Sequence, residues 1–216
     1  KSLLNFARTK IQPPRARPGA LLQRPALQQR LVQALGTMPL VLVCATAGFG
    51  KTSALTQAIE QLQTSAEDTA VAWVGCDEGD TPLQLFSCLV AALEPFDLPW
   101  RAAPDSLISA ALSGNGSEEA QRKALRAMVT ELINALDAAD VAHGVIVVDD
   151  LHHAGTGTLA LLRFLARDGP TGSVLVIATF DDTGRKLAQT ALSADDSQVA
   201  WSGLTPGGNL LLFVNQ

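Results

Sequence analysis

Tyrosine is absent from this 216-residue chain, and Trp and Phe number only 3 and 7. A core built from such material must consist mostly of Leu, Ala and Val. The same scarcity removes the aromatic platforms on which nucleobases stack, and no DNA-reading motif compensates, so no direct nucleic-acid contact is expected. Apolar runs stay well short of the ~18–20 residues needed to span a bilayer, and no secretory signal is visible. A membrane is therefore not an expected partner, and the expected location is the cytoplasm. Cysteine is sparse as well. Cys44, Cys76 and Cys88 form no CxxC pair, and His143, His152 and His153 offer no zinc-ligand spacing with them. The thiols read as small buried hydrophobes of a reducing compartment. Acid is missing from the beginning of the chain: no Asp or Glu precedes Glu60, whereas eight of the 16 Lys and Arg do. The rest, with all 21 acids against the other eight cations, carries a net −13. A basic N-terminal stretch could suit a polyphosphate or nucleic acid; without aromatic platforms or a DNA-reading motif, the expected reading is a solvated Pro/Arg arm packed across the domain.

What is present is ample apolar material. The chain is 47% hydrophobic and 17% charged, enough for one well-cored domain of α/β type. Residues 1–20, with Pro13, Pro14 and Pro18 among scattered Arg, read as an extended lead-in; residues 21–216 read as the domain. Arg24-Pro25 opens a helical pattern with Leu27, Leu31 and Leu35 spaced by four. Continuous apolar runs predict strands buried on both faces at Leu40–Cys44, Thr69–Gly75, Gly144–Asp149 and Val174–Ala178. Helices are expected from Lys51, from Pro82, over Glu118–Ala139 and over Leu159–Arg167, with a further one near Lys186–Leu192 and a strand near Val199–Trp201. Trp100–Ser117, rich in Ala, Gly, Ser and Pro, reads as a mobile connection. Strand and helix alternate throughout, which demands parallel strands and right-handed crossovers: a doubly wound parallel sheet with helices on both faces.

The segment that carries chemistry is Ala45-Thr-Ala-Gly-Phe-Gly-Lys-Thr52. It fits the P-loop pattern GxxxxGK[ST] with Ala in the first position. Gly48 and Gly50 let the backbone bend so that successive N–H groups point at phosphate oxygens. Lys51 supplies a point charge for the β- and γ-phosphates, Thr52 a hydroxyl for Mg²⁺, and the helix that follows its positive end. The candidate nucleotide contacts are thus Ala47, Gly48, Phe49, Gly50, Lys51, Thr52 and Ser53. A second apolar run ends in Asp149-Asp150, placing both acids at the carboxyl edge of the sheet, where open α/β sheets bind ligands. Asp149 is the candidate magnesium carboxylate alongside Thr52, and Asp150 the candidate catalytic base assisted by Lys51; a helix cap is the alternative for Asp150. No NKxD occurs, so ATP or ADP is expected rather than a guanine nucleotide.

Four ordered motifs then resemble the large ATP-binding LuxR-type regulators of the MalT kind. They are Thr9-Lys-Ile-Gln-Pro-Pro-Arg15 with Leu22-Gln-Arg-Pro25, the P-loop itself, Trp73-Val-Gly-Cys-Asp-Glu-Gly-Asp80, and Val147-Val-Asp-Asp-Leu-His152. The resemblance implies a signal-transduction NTPase module that binds ATP or ADP and self-associates when triggered. It implies that Arg24 lies near the nucleotide base and that His152 occupies a family position. In such regulators the sensing repeats and a helix-turn-helix domain lie C-terminal; neither is visible here, so the chain reads as the isolated nucleotide-binding module. The family's fourth strand ends in Ser-Arg, a γ-phosphate sensor, where this chain has Thr179-Phe180. Two other readings stay open: a P-loop kinase, which would need an Arg-rich lid although residues 100–117 contain only Arg101, and an interaction domain whose nucleotide is never turned over.

Overall fold

The computed structural model describes residues 6–14, 24–35, 40–44, 48, 50–65, 68–113, 118–141, 143–153, 174–180, 199–204 and 210–214. The apolar runs form strands as expected: β1 (Leu40–Cys44), β2 (Thr69–Gly75), β3 (His143–Asp149) and β4 (Val174–Phe180). These four are mutually parallel in the order β2-β3-β4-β1. The sheet does not end there. β5 (Val199–Leu204) and β6 (Leu210–Val214) pair antiparallel, and β6 lies antiparallel against the other side of β1. The expectation of a wholly parallel sheet is corrected at this point. The apolar tail after Gly207-Gly208 is close enough to β5 to return as its neighbour, and so short a connection joins only antiparallel strands.

Alternation along the strands separates two cores. Ala72 and Val74 of β2, with Ile146 and Val148 of β3, pack on one side against α3 (Pro82–Ala92) and α5 (Glu118–Asp137), through Phe86, Leu89, Leu132 and Leu136. The intervening residues Trp73, Val145 and Val147 share the opposite side with Val41 and Val43 of β1, Leu31 of α1 (Pro25–Leu35) and Leu55 and Ile59 of α2 (Lys51–Ser65). Helices thus lie on both faces of β2 and β3, as a strand apolar on successive residues requires. The helices expected over 159–167 and 186–192 lie outside the described residues.

Two segments differ from expectation. Within the supposed mobile connection, Pro104–Ser113 is a helix, α4. Pro104 opens it, where a missing N–H costs nothing. Asp105 sits in the first turn, where the helix dipole favours an acid. Leu107, Ile108 and Ala111 then face the core, with Ile108 only 1% exposed. Glu131 of α5 fastens the approach by accepting the backbone N–H of Ala102 (3.0 Å) and of Arg101. The lead-in is also not wholly extended: Arg8–Ile11 form a 3-10 turn laid against β2 and α3. Phe6 and Ile11 join the α3 core, so the described part of the basic arm packs against the domain.

Candidate nucleotide site

The carboxyl ends of the four parallel strands reach one edge of the sheet. Gly75 is level with Asp149 across β2 and β3, and Cys44 with Phe180 across β1 and β4. From that edge two loops carry the chemistry. After β1, Gly48 and Gly50 adopt φ of +83° and +77°, the left-handed region that strains any residue with a Cβ. A Cβ at either would meet no atom within 4 Å; backbone conformation alone demands glycine there. α2 begins directly at Lys51, and the Ala54 N–H donates to the Gly50 carbonyl (2.9 Å). The first turn of such a helix, here Lys51–Ser53, directs N–H groups outward with no intrahelical acceptor, a site suited to anions. Ala47 and Phe49 lie outside the described residues.

Asp149 closes β3 and is 4% exposed. Each of its oxygens has a partner. The Thr52 hydroxyl donates to Oδ2 (2.9 Å), the Asp150 N–H donates to Oδ1 (3.1 Å), and the backbone carbonyl accepts the Cys76 N–H (2.9 Å). Thr52 and Asp149 are 97 residues apart in the chain, yet fold into direct contact. The residues fit a magnesium–nucleotide. Mg²⁺ is usually held by one or two carboxylates plus substrate phosphates rather than by a protein cage, and a buried carboxylate beside a hydroxyl at a helix start is that donor set. Among the described residues, no group of three or more His, Cys, Asp or Glu forms a cage of its own.

Asp150 has φ +53°, a left-handed conformation that Asp tolerates better than most residues. Its carbonyl accepts the His153 N–H (3.0 Å) and opens the 3-10 turn Leu151–His153. The side chain is half-buried beside Asp149. Arg24 is half-buried just before α1, where its carbonyl accepts the Gln28 N–H (2.9 Å). Nothing described sets Arg24 against a nucleobase. The His152 side chain is outside the described residues.

The loop after β2, within the Trp73–Asp80 motif, adds a residue. α3 is capped by Thr81, whose hydroxyl accepts the Gln84 N–H (3.2 Å) while Gln84 Oε1 accepts the Thr81 N–H (2.9 Å). Asp80 and Asp77 hold Lys10 of the N-terminal arm, at 2.6 and 2.9 Å from Nζ. Burial pulls the Lys10 ammonium down, but hydrogen bonds to Asp80 and Asp77 outweigh it and its pKa is raised. Burial, reinforced by Asp80, pushes the neighbouring Cys76 thiol up to about 12. Sequence reasoning missed Lys10. The available signal was a lysine in an acid-free arm and two acids three residues apart in the chain's acidic part.

The family model described as the AAA ATPase domain matches residues 21–177, a span containing both loops. No curated protein matches the chain.

Proposed function

Because the chain belongs to the AAA ATPase domain family, we propose that residues 45–53 and Asp149 bind ATP or ADP with Mg²⁺, and that the domain works as a slowly hydrolysing switch. The observation that carries this is the Thr52–Asp149 hydrogen bond of 2.9 Å, which joins the phosphate loop to the acidic strand end across 97 residues. When bound, Mg²⁺ supplies charge neutralisation between the phosphate oxygens. Lys51 adds a positive charge at the β- and γ-phosphates, Thr52 and Asp149 hold the metal, and Gly48, Gly50 and the α2 start offer backbone donors. Asp150, one residue beyond the metal carboxylate, is the proposed base that orients and deprotonates the attacking water. Arg24 is proposed at the base end on the family resemblance alone.

The resemblance to MalT-type regulators supports the finer reading: a cytoplasmic signal-transduction module of a transcriptional regulator, self-associating in its triggered state and serving sensor and DNA-binding regions beyond this chain. Against the kinase reading stands the single Arg, Arg101, in residues 100–117, of which 104–113 form a helix with Ile108 buried. Calorimetric titration with ATP and with ADP, with and without Mg²⁺, tests the proposal. Wild type is expected to bind with a magnesium-dependent gain. Lys51→Ala is expected to bind at least tenfold more weakly, a charge-assisted contact being worth about 1.5–3 kcal/mol. Equal affinities in the two proteins would sink the phosphate-site assignment.

A further inference from the structure

We propose that Lys10 is a positioning residue for the magnesium carboxylate, acting through the loop after β2. This rests on the reading of Asp149 as that carboxylate. The connection is short: hydrogen bonds run from Lys10 to the Asp77–Asp80 turn and from Cys76 to Asp149, and one peptide bond joins the turn to Cys76. Lys10 Nζ binds Asp80 Oδ1 at 2.6 Å and Asp77 Oδ2 at 2.9 Å. Asp80 Oδ2 in turn accepts the Asp77 N–H (2.8 Å), and the Asp80 N–H donates to the Asp77 carbonyl (3.2 Å), so both acids belong to one tight turn. That turn follows Cys76, whose N–H donates to the Asp149 carbonyl at 2.9 Å. One ammonium therefore fixes the turn that directly follows Cys76, the residue whose N–H holds the backbone of Asp149.

The arm is seated for this task rather than draped over the surface. Lys10 and Asp80 are 11% and 8% exposed in their side chains, so the pair is largely withdrawn from water and competes little with solvent. The 3-10 turn Arg8–Ile11 packs on β2 and α3. The Lys10 carbonyl lies 3.8 Å from where a Cβ on Gly75 would stand, which brings the arm's backbone against the residue level with Asp149. A buried ion pair of this kind contributes little net stability, so its use lies in setting one conformation of the loop. With Lys10 removed, Asp77 and Asp80 repel each other, the turn opens, and Asp149 loses a fixed backbone partner.

The test compares wild type, Lys10→Ala, Lys10→Arg and Asp80→Asn. ADP affinity is measured with Mg²⁺ and with chelator, and amide hydrogen exchange is followed over residues 74–80 and 144–151 of the nucleotide-free protein. Partners that orient metal ligands are typically worth about 10- to 100-fold in affinity, and one step further out about three- to tenfold is expected. Lys10→Ala should therefore lose about that factor from the magnesium-dependent gain while its affinity in chelator stays unchanged. Exchange at Cys76 and its neighbours should quicken. Lys10→Arg should restore most of both effects, and Asp80→Asn should resemble Lys10→Ala. An unchanged magnesium gain in Lys10→Ala, or an equal fall with and without the metal, overturns the positioning role. A wild type with no magnesium-dependent gain at all overturns the underlying reading of Asp149, and the inference with it.

Discussion

Asp149 and Asp150 are adjacent in sequence and share one hydrogen bond, yet their surroundings assign them different work. Asp149 is enclosed with its oxygens engaged by Thr52 and the next backbone N–H; Asp150 is half-buried on a left-handed backbone. On the proposed reading, Asp149→Asn removes the magnesium-dependent part of nucleotide affinity and leaves the fold intact by circular dichroism. Asp150→Asn spares binding and slows hydrolysis, as measured by phosphate release. Identical behaviour of the two would refute the division of roles. Cys76 gives a second residue-scale expectation. Its folded pKa, near 12, lies above its ordinary 9.0, so the unfolded chain loses the proton first. Stability is then full below about pH 9 and declines as pH rises toward 12. Between pH 8 and pH 10 this one thiol should cost on the order of 1 kcal/mol. Cys76→Ala should flatten the fall in urea midpoint over that interval by a corresponding amount; an unaltered pH profile would rule the thiol out as its source.

Among the elements, α4 is the instructive one. Its segment looked like a connection because Ala, Gly, Ser and Pro dominate residues 100–117, and composition alone does not distinguish a small-residue helix from a loop. The discriminating signals were local: Pro104 at a helix start, Asp105 in the first turn, and an apolar spacing at 107, 108 and 111. Ile108 is the anchor, so Ile108→Ala should destabilise by about 2–4 kcal/mol in denaturant titrations, the cost of an emptied core position. A loss under about 0.5 kcal/mol, the range of surface substitutions, would mean that the helix is not docked. By contrast α2, α3 and α5 were legible from apolar spacing, and β1 to β3 from continuous apolar runs within a residue of their ends. β6 was not. Leu210–Val214 has the same composition as a parallel core strand, and only pairing decides its direction. Lys10 escaped for a related reason: its partners lie 67 and 70 residues away, and no periodicity links positions that only the fold brings together.

For the whole molecule, the order β2-β3-β4-β1 puts β4 between the strand that leads to the phosphate loop and the strand that ends in Asp149. Phe180 ends β4 level with Cys44, the last residue before the loop. The final residue of β4 is thus at the sheet edge between the two halves of the proposed site, the position at which the family resemblance implies an arginine that senses the γ-phosphate. A ligand shifts a conformational equilibrium only through contacts that differ between states. Without that arginine the domain should bind ADP as well as ATP, or better, and hydrolyse slowly. Phe180→Arg should raise ATP affinity selectively. Competitive binding of the two nucleotides under matched Mg²⁺ decides it, and a wild type already favouring ATP tenfold would locate the sensor elsewhere. The P-loop pattern and the two acids that end β3 were legible in the sequence because the chemistry proposed for them restricts residue types. The convergence of Thr52 and Asp149 was expected from their shared assignment to a metal; the direct hydrogen bond between them is what the fold adds.

That order also has a consequence for how the chain comes into being. β1 is hydrogen-bonded on one side to β4 and on the other to β6, and both begin at Val174 or later. A ribosome adding about 5–20 residues per second therefore releases Leu-Val-Leu-Val-Cys many seconds before either neighbour exists. β2 and β3 can pair in the meantime, but β1 waits with both edges open, and an apolar strand with open edges is a template for pairing with other chains. A chain cut short before Val174 would not be a smaller version of this domain. It would carry an intact phosphate-loop sequence on a strand with nothing to pair to, and its fate would be aggregation or capture by a chaperone.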